Sequence, residues 1–99
     1  MKKLKWFYKS GSFETYSVLY EDDRFILVRN DETGLFSFGP RSCFGSLYGF
    51  GVNESCLTAR EAVVRLNSWI SIDTGFSLLS IGRWRAMIEA INATEEVLK

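Results

Sequence analysis

Histidine is absent from this 99-residue chain, proline occurs once and cysteine twice. Without histidine the chain lacks the commonest general base near neutral pH and the commonest metal ligand. Two cysteines alone cannot supply the four ligands of a usual zinc site, so no metal or cofactor is expected. Excess charge of either sign is also missing, since twelve basic residues balance twelve acidic ones. A zero balance argues against a dedicated nucleic-acid binder, whose affinity comes largely from displacing counterions with a basic surface. A local basic patch stays compatible with it.

Long apolar runs are lacking too. None approaches the ~20 residues needed to span a bilayer. In the opening MKKLKWFYKS only Trp6, Phe7 and Tyr8 run uninterrupted before Lys9, too short for the core of a signal peptide. The expectation is a cytoplasmic protein without membrane contact. There Cys43 and Cys56 remain thiols, with a Cys43–Cys56 disulfide as the alternative.

What is abundant is aromatic side chain, 15% of the chain. At this length one domain spanning 1–99 is expected, and large rings can build its core from few residues. The first forty residues read as a meander of antiparallel strands: Leu4–Lys9, Phe13–Tyr20, Arg24–Arg29 and Leu35–Phe38, separated by short turn-forming stretches. Alternation sets Tyr16, Val18 and Tyr20 on one face of the second strand. The third is apolar on both faces, which predicts a central position.

After Gly51 the apolar period lengthens to about 3.6. Thr58-Ala59-Arg60-Glu61 forms a capping box. Behind it Ala59, Val63, Leu66 and Ile70, widened by Ala62 and Trp69, make one stripe that predicts a helix ending near Ser71. A second helix is expected from an N-cap at Ser80, with Ile81, Trp84, Ile88 and Ile91 inward and Met87 and Leu98 at the margins. Arg85, Glu89, Asn92 and Glu96 take its outer face. Strands first and helices second predict an α+β fold, an antiparallel meander of three to four strands packed against two C-terminal helices.

Candidate functional residues are few. Asp22-Asp23 sits in a turn, and Cys43 has only Arg41 nearby to activate it, so a non-enzyme is expected. The segment Gly34–Gly51, GLFSFGPRSCFGSLYGFG, joins five glycines and five aromatics around the single charge of Arg41. Phe38, Arg41, Phe44, Tyr48 and Phe50 could form a surface for a partner or a flat anionic ligand such as a nucleotide. Alternatively the rings are core anchors. No acidic residue lies between Thr33 and Asn53, so Arg41 is expected either exposed or paired with a distant acid, exposure being favoured. Arg83, Arg85 and Glu89 around Trp84 offer a second candidate surface. Lys2, Lys3, Lys5 and Lys9 read as a lysine-blunted edge strand, or as the basic half of a dipolar surface that steers a partner.

Together these point to a small interaction protein that binds and blocks another macromolecule, of the kind a phage or mobile element uses against a host protein. A module sequestering a nucleotide or small anion is the alternative, and a nucleic-acid binder a weaker one. Another protein is the expected partner, with a homodimer also compatible.

Overall fold

A computed structural model describes residues 2–7, 11–41, 57–73 and 78–98. The chain divides into two compact units, Met1–Thr58 and Ala59–Lys99. The first holds an antiparallel sheet of four strands, β1 (Lys3–Phe7), β2 (Phe13–Glu21), β3 (Phe25–Asn30) and β4 (Phe36–Pro40), in the order β1-β2-β3-β4. The second holds two helices, α1 (Ala59–Asp73) and α2 (Leu78–Leu98). The fold class is therefore α+β, with the meander and the helices in the expected order. Cys43 and Cys56, and with them the disulfide alternative, lie outside the described residues.

β3 lies inside the sheet, as its doubly apolar pattern requires. Ile26 and Val28 are buried on one face and Leu27 on the other. Burying side chains of this size stabilises a fold by about 1.5–3 kcal/mol each. Leu4, Tyr16 and Val18 pack against Ile26 and Val28, so this first face carries a continuous apolar cluster across three strands. The opposite face carries Lys3, Lys5, Thr15, Ser17, Leu27, Arg29, Phe36 and Phe38, by the pairing register.

One strand departs from simple alternation. Val18 pairs with Val28, but Tyr20 pairs with Leu27, which leaves Leu19 as the extra residue of a β-bulge. The bulge reverses the face of everything after it. Tyr20 therefore lies on the Leu27 side and not with Tyr16 and Val18, as strict alternation would have it. Its hydroxyl donates to Asp22 Oδ2 at 2.7 Å.

The turns are closed by short polar side chains. Asp22 Oδ1 accepts from the amides of Arg24 and Phe25, both at 2.8 Å, which ties the loop between β2 and β3. Asn30 Oδ1 does the same for Glu32 and Thr33, at 2.9 and 3.0 Å. Gly34 then takes φ 73°, and its amide donates to the Asn30 carbonyl at 2.9 Å. The positive φ favours glycine at this position, and a Cβ there would also stand 3.0 Å from Arg29 Nη2, so the guanidinium would have to shift to admit a side chain.

In the helical unit Ala62 and Leu66 are buried along the expected stripe, and Val64 is exposed on the other side of α1. Thr58 stands immediately before α1, where its capping role requires it. α2 begins at Leu78, so Ser80 lies within the helix and is not its N-cap. Ile81, Trp84, Met87 and Ile91 form its buried stripe. Met87, expected at the margin, is fully buried, and Ile88 is only half-buried. Steps of three and four place 84, 87 and 91 on one line, and the long unbranched Met87 fills it. The two helices meet where Trp69 and Trp84 stack edge to face, with centroids 4.8 Å apart and planes at 71°. Among the described residues no helix is long and apolar enough to cross a membrane.

Candidate functional site

The two edges of the sheet differ. On the outer side of β4, Leu57 exchanges both backbone hydrogen bonds with Phe36, at 2.7 and 2.9 Å. β1 forms the other edge, and among the described residues no backbone segment pairs with its outer side.

Which groups of β1 point outward follows from the ladder. Val18 donates its amide to the Lys2 carbonyl at 2.9 Å, and Asp31 donates to the Thr15 carbonyl at 3.0 Å. Antiparallel pairs alternate between hydrogen-bonded and non-bonded, so Lys2 and Leu4 face β2 while the amides and carbonyls of Lys3 and Lys5 face away. Their side chains share one face of the sheet.

That face is basic and partly aromatic. Lys3 Nζ donates to Ser17 Oγ at 2.6 Å and to Asp31 Oδ2 at 3.1 Å, and the Ser17 hydroxyl donates to Asp31 Oδ1 at 2.6 Å. Partial burial alone would raise the Asp31 carboxyl. The hydrogen bonds from Ser17 and Lys3, with the charges of Lys3 and Arg29, outweigh it and hold the group below its ordinary value. Arg29 lies beside this cluster, and its Nε is buried without a hydrogen-bond partner among the described residues. Lys5 Nζ sits 5.0 Å from the centroid of Phe13, whose ring is 51% exposed. Lys5 meets no carboxylate among the described residues.

A second charged group closes the far end of the sheet. Glu21 accepts from Lys2 Nζ at 2.9 Å and from Arg41 Nε at 3.2 Å. The hydrogen bond from Lys2 is the main reason its carboxyl lies below the ordinary value, and the two cations add to it against a smaller desolvation effect. Arg41 also donates from Nη1 to the Asp22 carbonyl at 3.4 Å. Its side chain is half exposed and paired at once, so the two alternatives open from the sequence are both present. An external anion at Arg41 would compete with Glu21.

The remaining expected site residues separate. Phe38 is 0% exposed in β4 and presents no surface. Phe44, Tyr48 and Phe50 lie outside the described residues. Arg85 and Glu89 are exposed on α2, whereas Arg83 is half-buried with its guanidinium 5.7 Å from the ring of Trp84. Asp22 is committed to its turn and to Tyr20. Among the described residues no group of three or more His, Cys, Asp or Glu side chains could hold a metal ion.

Lys5 belongs to the basic group read from the sequence as a blunted edge or a steering surface, whereas the exposed Phe13 beside it was not anticipated. Lys-Leu-Lys at positions 3 to 5 was the available signal, and it reads equally well as a plain solvent-facing edge. No family model matches the chain, and neither the curated proteins nor the solved structures yield a match.

Proposed function

We propose that this chain is a small non-enzymatic binding protein that docks on another protein by adding its β1 edge to a partner strand, and blocks the surface it covers. The observation that carries this reading is a difference between the two edges among the described residues: Leu57 bridges to β4 at Phe36, while the backbone groups of Lys3 and Lys5 point outward from β1 with no strand beside them. Strand addition supplies main-chain hydrogen bonds for affinity and side-chain pairs for selectivity. The exposed ring of Phe13 beside Lys5 adds apolar area at the same edge.

Affinity capture with the tagged full chain and with Lys5→Pro tests it. The Lys5 amide faces away from β2, so proline leaves the β1–β2 ladder intact, removes an outward donor and crowds an incoming strand. A stoichiometric partner held by the unaltered chain and lost by Lys5→Pro is the expected result. A partner held equally by both, or no stoichiometric partner at all, defeats the proposal.

A further inference from the structure

We infer that the β1 edge selects an extended segment of acidic–apolar–acidic pattern, with its carboxylates opposite Lys3 and Lys5 and its central apolar side chain opposite Leu4. This rests on the docking reading above and adds the chemistry of the partner.

The register dictates the pattern. An antiparallel strand added to β1 hydrogen-bonds through Lys3 and Lys5, so its residues opposite them share their face of the sheet. Directly opposed Cβ atoms on paired strands lie about 4.5–5.5 Å apart, within reach of an ion pair. Lys5 lies against the Phe13 ring and meets no carboxylate among the described residues, which leaves its charge to be matched. Lys3 already meets Asp31, but its side chain is 53% exposed and an ammonium carries three donors. The residue between the two carboxylates falls on the other face, next to Leu4. Leu4 is the half-buried outer member of the cluster built on Ile26 and Val28, and an apolar neighbour would extend that cluster by one strand.

The same lysines reject a second copy of this chain. Two β1 strands paired antiparallel through their outward groups bring Lys3 opposite Lys3, Lys3 opposite Lys5, or Lys5 opposite Lys5 in every register that overlaps this stretch. Like charges directly opposite destabilise a strand pair. An edge that repels itself and attracts carboxylates is selective for one class of partner.

The test uses the full chain and two labelled nonapeptides, one with Glu-Val-Glu at its centre between serine and threonine residues and one with Lys-Val-Lys there, read by fluorescence anisotropy. The acidic peptide should bind at least tenfold more tightly, and the ratio should shrink as salt rises from about 20 mM to about 300 mM because exposed pairs are screened. Lys5→Glu should abolish the preference, because Lys3 still attracts one carboxylate while the new side chain repels the other, and Lys5→Ala should reduce it, each with the circular dichroism of the unaltered chain. Equal affinity for both peptides overturns the inference and leaves edge docking standing. So does failure of both peptides while Lys5→Pro still loses a captured partner. Acidic-peptide binding undiminished in Lys5→Pro overturns the inference and the docking reading together.

Discussion

Replacing Trp84 with alanine should be among the most damaging single changes in the chain. The ring is 5% exposed, and it receives the edge-to-face contact of Trp69 and the guanidinium of Arg83. Truncating a buried tryptophan costs about 3–5 kcal/mol through lost burial and the cavity left behind. A chain of this length has a total stability of about 5–15 kcal/mol, so at least about a fifth of it is at stake. The melting midpoint should fall by at least about 12 °C. Trp69 is only half-buried, and Trp69→Ala should cost less, about 1–3 kcal/mol. The ring pair itself should appear as a coupling of about 0.5–1.5 kcal/mol in a double-mutant cycle. Urea unfolding followed by far-ultraviolet circular dichroism measures all three without needing indole fluorescence. A cost for Trp69→Ala equal to or above that of Trp84→Ala, or a cost below about 1 kcal/mol for Trp84→Ala, would refute the assignment of the buried stripe.

Three further outcomes follow from the sheet unit. Gly34→Ala should lose about 1–2 kcal/mol in chemical denaturation, because φ 73° suits glycine and the new methyl meets Arg29; at Gly11, φ 90° with open space, alanine should cost less. Asn30→Ala strips the acceptor from two turn amides and should cost about 1–3 kcal/mol by the same assay. Glu21 and Asp31 titrate in the folded chain below their ordinary 4.5 and 3.8, so their contribution is complete above about pH 4.5 and fades as pH falls through the lowered values. A denaturation series in pH should show this loss, and it should be shallower in Lys3→Ala, which removes one partner of Asp31.

Much of the fold was legible because local pattern and global role agree in it. RFILVR is apolar on both faces and occupies the middle of the sheet, and the stripe from Ala59 to Ile70 reappears in α1. Where the reading failed, an effect invisible to periodicity decided. The bulge at Leu19 adds one residue and turns Tyr20 to the opposite face. Met87 outranks Ile88 in burial on α2 because rotamer and packing, which sequence spacing does not specify, choose among residues on one broad stripe. Glu21 and Arg41 meet through the sheet, so neither announced the other along the chain. Phe38 illustrates the ambiguity of aromatic residues: a ring suited to a binding surface is equally suited to the core, and here the strand buries it. The edge at β1 was half legible. Its lysines marked an edge, but which amides point outward depends on the pairing phase fixed by the Lys2–Val18 hydrogen bond.

Amide exchange along β1 tests the docking account most directly. With the Glu-Val-Glu peptide bound to the isotopically labelled full chain, the amides of Lys3 and Lys5 should become protected, while that of Leu4, which already faces Tyr16, should change little. This period-two signature is specific to a strand added at the edge. Unchanged exchange at Lys3 and Lys5, with protection gained instead on the Arg85 and Glu89 face of α2, would contradict it.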